Sequence, residues 1–139
     1  LVRPKDLMKL DDPDNPKVLK DLIRATGTEC VDYPDEGQCC GGPIVGIDSK
    51  QALGLVADKL GRIAKTEAKA LVTVCPDCHF MYDFNQPMAE KQAGCRFGIP
   101  VLYYTQLLGL AMGMKPDELG LGLLRVKADK LLEQLGLGK

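Results

Sequence analysis

Residues 70–78 read Ala-Leu-Val-Thr-Val-Cys-Pro-Asp-Cys, so a short apolar run leads directly into two closely spaced cysteines. The first five residues are apolar or β-branched, which is typical of a buried strand. A helix is expected after Cys78, with Pro87 kinking or ending it. The carboxyl end of this predicted strand therefore carries the thiols of Cys75 and Cys78.

Predicted strands and helices alternate on both sides of this stretch. Strands are predicted over 29–33, 70–74 and 100–104. The first helix is predicted from an N-cap at Asn15-Pro16 to a C-cap at Gly27. The second is predicted over 49–69, with one apolar stripe: Ala52, Val56, Leu60, Ile63 and Ala64. A helix is also predicted over 106–112 with Thr105 as its cap. The tail from Pro116 is predicted to be helical with these apolar positions: Leu123, Val126, Leu131, Leu132 and Leu135. This alternation implies parallel strands with right-handed crossovers. We therefore predict an α/β fold, a small and mainly parallel sheet flanked by helices, in a single domain over 1–139.

The composition excludes several classes of protein. The formal net charge is −1, so no general attraction to nucleic acid or to an anionic membrane is expected. No apolar run approaches the roughly 18 residues of a membrane-spanning helix, and no secretory signal opens the chain. The six cysteines could form three disulfides. An α/β domain with its own core does not depend on disulfides, so a reducing cytoplasm with ligand or redox cysteines is favoured.

A second pair of thiols lies in the run Cys39-Cys40-Gly41-Gly42. A loop over 34–42 connects the predicted strand 29–33 to this pair. Because the carboxyl ends of parallel strands meet at one edge of a sheet, we expect the two pairs to face each other there. The predicted site is a metal-thiolate centre formed by Cys39, Cys40, Cys75 and Cys78.

Three interpretations of the four sulfurs stay open at the level of the residues. An iron–sulfur cluster is favoured, because Gly41 and Gly42 allow positive φ and let backbone N–H groups approach the bridging sulfides of a cluster closely. A structural zinc site needs four thiolates, although adjacent zinc ligands such as Cys39 and Cys40 are less common. A redox dithiol would use only Cys75 and Cys78, since a strand that leads into C-x-x-C resembles the thioredoxin context.

Other candidate residues receive simpler interpretations. Cys30 is predicted to be a core residue, since free cysteine is among the most often buried residue types. Cys95 is interpreted as a loop thiol. His79 directly follows the second pair; it is either a helix-start residue bonded to the loop or a proton donor near the sulfurs.

Four segments of the chain resemble the cysteine-rich "CCG" domain in the B-type subunit of heterodisulfide reductase. The resemblance covers nearly the whole chain and looks closest to the C-terminal of that subunit's two such domains. Residues 105–110 point to this subunit rather than to relatives in complexes that oxidise glycolate, lactate or succinate. The segments are V-D-Y-P at 31–34, C-C-G-G at 39–42, V-T-V-C-P-D-C-H at 72–79 and P-V-L-Y-Y-T-Q-L-L-G-L at 100–110.

The resemblance implies a cofactor, a reaction and a partner. The cofactor would be a non-cubane iron–sulfur cluster of the 4Fe-4S type, in which two fused units share an iron. Its ligands would be Cys39, Cys40, Cys75 and Cys78. The reaction would be reduction of a disulfide, in methanogens the mixed disulfide of coenzymes M and B, with electrons from the ferredoxin-like, C-type iron–sulfur subunit of heterodisulfide reductase.

The resemblance also implies one further cysteine, which the family pattern places just ahead of a segment like Leu1-Val2-Arg3-Pro4. Since that position would precede Leu1, we expect the sequence to be a piece of a longer subunit, inactive by itself. Zinc is the alternative metal for such a piece, which would then be a structural or interaction module. An unpaired sheet edge could also pair two copies as a homodimer.

Overall fold

The computed structural model describes residues 11–12 and 15–138. They divide into two compact units, Leu1–Cys30 and Val31–Lys139, and each unit is described by itself. The opening segment 1–4, which forms part of the resemblance, lies outside the described residues. A single domain over 1–139 stays a prediction.

The first unit contains one described helix, α1, at Val18–Ala25. The predicted cap at Asn15-Pro16 is wrong. The helix starts later, because the carboxylate of Asp11 accepts hydrogen bonds from the backbone N–H groups of Lys17 and Val18 at 2.9 and 3.0 Å. These bonds, led by the one from Lys17, lower the pKa of Asp11. Gly27 follows the helix with a φ of +82°, as a glycine at the end of a helix commonly does.

The predicted strand over 29–33 is wrong, because this segment has no regular secondary structure. Its residues do not alternate between a buried and an exposed face. Glu29, Val31 and Asp32 are exposed, while Cys30 and Tyr33 are half-buried. A strand is stabilised by burial of one face against a neighbour, and this segment buries neither face.

The second unit contains a two-stranded parallel sheet, β1 at Leu71–Thr73 and β2 at Val101–Tyr103. In its register Leu71 pairs with Val101 and Thr73 with Tyr103. These are two of the three predicted strands, each shorter at both ends. The fold class is confirmed as a small α/β arrangement, with a parallel sheet of two strands in the part of the chain that the structure describes.

The longest helix among the described residues is α2 at Ser49–Ile63. The carboxylate of Asp48 caps it by accepting from the backbone N–H of Gln51 at 2.9 Å. The predicted extension to residue 69 is wrong: the hydroxyl of Thr66 donates to the carbonyl of Ile63 and accepts from the N–H of Ala68, which turns the chain. Four residues of the predicted apolar stripe are buried, Ala52, Val56, Leu60 and Ile63, whereas Ala64 is exposed just after the helix.

Three short helical segments follow β1: α3 at Pro76–His79, a π-helix at Phe80–Phe84, and α4 at Gln86–Ala93. The helix therefore begins at Pro76, before Cys78 and not after it. The N–H of Asn85 donates to the carbonyl of Phe80, a bond across five residues that marks the π turn. Pro87 lies in the first turn of α4, so it helps to start a new helix after the break.

The last helices are α5 at Tyr104–Ala111 and α6 at Asp129–Gln134, with a 3-10 turn at Leu121–Leu123 between them. Thr105 is not the cap of α5; the side chain of Gln106 accepts from the N–H of Tyr103 at 2.9 Å. The tail is not helical throughout, since Gly120 adopts a φ of +67°. Leu123, predicted as an apolar helix position, is 89% exposed.

Two hydrophobic clusters stabilise the second unit. One joins α2 to the π-helix, α4 and β2. The other surrounds Leu102 and Leu110 with residues from 119 onward. The buried carboxylate of Asp83 fixes this tail by accepting from the N–H groups of Arg125 and Val126 at 2.8 and 3.1 Å. Among the described helices, none has the length and apolar character needed to cross a membrane.

Candidate metal-thiolate site

The first thiol pair lies in a loop whose glycines fold the backbone back onto the sulfurs. Cys39 is exposed, whereas Cys40 is 5% exposed. The N–H of Gly41 lies 3.5 Å from the sulfur of Cys39, and the N–H of Gly42 lies 3.4 Å from that of Cys40. These N–H groups favour negative charge on the cysteine sulfurs. The approach of such groups to the bridging sulfides of a cluster stays a prediction.

Both glycines also allow close approach of the loop to other segments. A Cβ atom on Gly41 would lie 3.0 Å from the Cα of Ala52 in α2, and the φ of Gly41 is +80°. A Cβ atom on Gly42 would lie 3.2 Å from the Cβ of Asp77, inside the C-x-x-C segment. The loop with Cys39 and Cys40 therefore lies directly against α3, the helix that follows Cys75.

The second thiol pair begins where β1 ends. Cys75 is the residue before α3 and has an extended backbone, and Cys78 lies in the first turn of that helix. Burial raises the pKa of the Cys78 thiol to about 12, and the neighbouring sulfurs of Cys40 and Cys75 act in the same direction. Without a cation, Cys78 therefore stays a neutral thiol at physiological pH.

The structure thus brings together Cys40, Cys75 and Cys78, with Cys39 at the exposed edge of the group. The expected meeting of the two pairs is present, but its predicted cause is half wrong. Only Cys75 and Cys78 follow a strand, whereas Cys39 and Cys40 reach the site from an irregular loop. All six cysteines are free thiols.

The donor set fits an iron–sulfur group. Thiolates are the usual ligands of such clusters, and hydrogen bonds to their sulfurs tune them. Within the described residues, no group of three or more His, Cys, Asp or Glu side chains is placed to hold a metal ion. Ligation by Cys39, Cys40, Cys75 and Cys78 therefore stays a prediction, supported by the approach of the two pairs to each other.

His79 is fixed beside the second pair. Its ring stacks on that of Tyr103 with centroids 4.2 Å apart, and its Nε2 lies 3.1 Å from the carbonyl oxygen of Val101. Since a carbonyl oxygen only accepts, Nε2 carries the hydrogen and Nδ1 keeps the lone pair in the neutral ring. The predicted bond from His79 to the backbone exists, but it reaches β2.

Two residues of this region were not predicted from the sequence, Lys59 and Tyr82. Both are buried, at 5% and 3% exposed. The signal for Lys59 was its position: it lies on the same helical stripe as Val56, Leu60 and Ile63, where a charged residue is unusual.

The two remaining cysteines lie apart from these sulfurs in the sequence and differ in exposure. Cys30 is half-buried, and its thiol donates to the carbonyl of Lys20 at 3.6 Å. It is not a member of either hydrophobic cluster, so its interpretation as a core residue is only partly correct. Cys95 is exposed in the turn after α4, as a loop thiol should be.

Comparison with known proteins gives matches over most of the chain. The model of the CCG family, described as a cysteine-rich domain, matches residues 4–83. The B-type subunit of the ferredoxin:CoB-CoM heterodisulfide reductase of Methanosarcina mazei is 37% identical over 123 residues, 87% of this chain and 41% of that protein. A protein of Archaeoglobus profundus, named as similar to the B-type subunit of heterodisulfide reductase, is 33% identical over 129 residues, 91% of this chain and 43% of that protein.

Another relative has a different role in its name. The 8-methylmenaquinol:fumarate reductase membrane anchor subunit of Wolinella succinogenes is 32% identical over 130 residues, 94% of this chain and 46% of that protein. The chain thus spans less than half the length of each of these relatives. Its homology to subunits of oxidoreductases is clear, and it belongs to the CCG family of cysteine-rich domains.

Proposed function

We propose that this chain forms the cluster-binding domain of a disulfide-reducing oxidoreductase, in a subunit of the heterodisulfide reductase B type. Cys39, Cys40, Cys75 and Cys78 would be ligands of a non-cubane iron–sulfur cluster. The observation that carries the proposal is the approach of the two thiol pairs to each other. A Cβ atom on Gly42, two residues after Cys40, would lie 3.2 Å from the Cβ of Asp77 in the C-x-x-C segment. Cys78 also packs against the hydrophobic cluster that contains Cys40.

The reaction sets what the protein must supply. Reduction of one disulfide to two thiols consumes two electrons and two protons. The bound cluster would supply one-electron chemistry, with electrons from a ferredoxin-like partner subunit.

We propose that the enzyme works in the cytoplasm and that its substrate is a mixed disulfide of two small thiols. In methanogens this would be the mixed disulfide of coenzymes M and B. The names of two relatives, both CoB-CoM heterodisulfide reductase subunits from Methanosarcina, support this class of substrate.

The chain's own residues would hold the cluster and its surroundings in place. Backbone N–H groups of Gly41 and Gly42 lie on the sulfurs of Cys39 and Cys40, so they would stabilise negative charge there. Burial of Cys40 excludes water from one side of the site, while exposed Cys39 marks the side that faces solvent. A substrate would therefore approach from the side of Cys39.

Serine substitution of the ligands tests the proposal. After anaerobic reconstitution of the protein with ferrous iron and sulfide, we expect visible absorption and bound iron that Cys40→Ser and Cys75→Ser lose. Cys30→Ser and Cys95→Ser are the matched controls and should retain both signals. Stoichiometric zinc without visible absorption would contradict the proposal and support a structural zinc module instead. Retention of the cluster by Cys40→Ser would contradict the proposed ligand set.

His79 is proposed as the proton donor to a thiolate released at the site. In the imidazolium form of the ring Nδ1 carries the proton that is transferred, while Nε2 keeps its hydrogen bond to Val101. Its stacking on Tyr103 and its bond to Val101 hold the ring in one orientation. His79→Phe keeps an aromatic ring against Tyr103 but removes Nδ1, so turnover of the complete enzyme should fall about 100-fold or more. The cluster's absorption spectrum should not change. Turnover within twofold of the parent enzyme would contradict this role.

A further inference from the structure

A buried ammonium group lies behind the loop that carries Cys39 and Cys40. Lys59 extends from α2 and is 5% exposed. Its Nζ donates to the carbonyl oxygens of Glu36 and Gln38 at 2.6 and 2.8 Å. Because these carbonyls immediately precede Cys39 in the chain, Lys59 fixes the loop that delivers the thiol pair.

Two aromatic rings and the nearby sulfurs partly offset the effect of burial on this ammonium group. Its Nζ lies 5.7 Å from the ring centroid of Tyr82 and 6.0 Å from that of Tyr33, within the usual range of cation–π contacts. Burial lowers the pKa of Lys59, but the sulfurs of Cys78 and Cys40 act in the opposite direction. The charge of Lys59 and that of an ionised sulfur therefore stabilise each other.

Tyr82 adds a hydrogen-bond donor to the same region. It is 3% exposed, and its hydroxyl has no hydrogen-bond partner among the described residues. Burial raises the pKa of Tyr82, and the sulfurs of Cys40 and Cys78 act in the same direction, so the hydroxyl keeps its proton. A buried hydroxyl without a partner is destabilising, and an acceptor at the sulfur site would remove that cost.

We propose that Lys59 and Tyr82 form a positive, hydrogen-donating wall that stabilises negative charge at the four cysteines. Lys59 would act through its charge and through the loop it fixes, and Tyr82 through its hydroxyl. Hydrogen bonds and net charge near the sulfurs set the reduction potential of iron–sulfur groups. For a bound cluster the inference rests on the proposed function. For the metal-free thiols it rests on the bonds of Lys59 to the segment before Cys39 and on the hydrophobic cluster that Tyr82 shares with Cys40 and Cys78.

The metal-free protein gives a test that does not depend on a cluster. The ionised form of a thiol displaces iodide from anionic iodoacetate and from neutral iodoacetamide. The ratio of the two alkylation rates therefore reports the local charge and cancels differences in the accessibility of the sulfur. Lys59→Met should lower this ratio at Cys78 by about threefold to tenfold, as loss of a nearby unit charge in a partly screened site requires. Lys59→Arg should restore the ratio. The ratio at exposed Cys95 is the internal control and should stay constant.

Redox titration of the reconstituted protein is the second arm. Lys59→Met and Tyr82→Phe should each shift the reduction potential to more negative values. Loss of the positive charge or of the hydrogen-bond donor destabilises the reduced cluster, which is the more negative state, relative to the oxidised cluster. Lys65→Met, an exposed lysine just after α2, and Tyr104→Phe, a half-buried tyrosine of α5, are the matched controls and should not shift it.

The outcomes separate the two proposals. A changed alkylation ratio in a protein that assembles no cluster would support the positive wall and contradict the proposed function. A normal cluster, with an unchanged ratio in Lys59→Met and unchanged potentials in both variants, would overturn the wall and leave the function standing. An equal fall of both alkylation rates in Lys59→Met would show that the lysine only positions the loop, which also overturns the charge role.

Discussion

Substitution of Gly41 by alanine should lower the free energy of unfolding by about 2–5 kcal/mol. Two independent effects add. The φ of +80° is in the left-handed region, which is unfavourable for any residue with a Cβ. The new Cβ would also lie 3.0 Å from the Cα and 3.1 Å from the carbonyl oxygen of Ala52, and the backbone of α2 cannot easily move.

The same substitution should also prevent reconstitution of the cluster, since the loop must move away from α2 and take Cys40 with it. Urea unfolding followed by circular dichroism measures the stability, and bound iron measures the site. Gly46→Ala is the matched control in the same loop, since its Cβ would meet no atom within 4 Å and its φ is not positive. If Gly41→Ala were as stable as Gly46→Ala, the described loop geometry would be wrong.

Replacement of Gln86 by leucine should lower the free energy of unfolding by about 2–5 kcal/mol, although leucine suits a core better than glutamine. Gln86 is fully buried, and its amide makes three hydrogen bonds. Its Nε2 donates to the carbonyls of Tyr82 and Ile99 at 2.7 and 2.9 Å, and its Oε1 accepts from the N–H of Ile99 at 2.9 Å. Leucine would leave both backbone groups of Ile99 without these partners in the core.

Gln92→Leu provides the control for this prediction. Gln92 is exposed, and its Nε2 donates to the carbonyl of Lys50 at 2.9 Å, so loss of this bond should cost less than about 1 kcal/mol. The difference between the two variants in urea unfolding isolates the buried network. Equal stabilities would mean that Gln86 does not connect the π-helix to Ile99, in the segment that leads into β2.

The sequence predicted the elements whose signals are local. The apolar run at 70–74 and the run at 100–104 both gave strands, and the stripe of α2 gave its buried face, because burial periodicity acts within one element. The cysteine spacing likewise indicated two thiol pairs, and the strand before Cys75 placed the second pair at the sheet. These predictions depended on side-chain type and spacing alone.

Other features depended on contacts between distant residues and could not be predicted in this way. Residues 29–33 have strand-like composition but bury no face, which only the tertiary structure decides. The cap of α1 is a carboxylate from Asp11, six residues before Lys17. The π turn at Phe80–Phe84 places Gln86 in the core, and no local pattern indicates such a turn.

The site was predicted in part for the same reason. Cys39 and Cys40 were recognised from their spacing, but their position beside Asp77 follows from Gly41 and Gly42 and not from a strand. Lys59 and Tyr82 were missed because a lysine or tyrosine on a helix is ordinarily interpreted as a surface or core residue. Their common feature, proximity to the sulfurs, exists only once the helices are packed.

Iron-edge anomalous diffraction tests the central claim most directly. Crystals would be grown from the protein expressed from its complete gene and purified without oxygen. The account predicts anomalous density from more than one iron among the sulfurs of Cys39, Cys40, Cys75 and Cys78. A single zinc ion bound by those four sulfurs, or no metal density between the two thiol pairs, would contradict it.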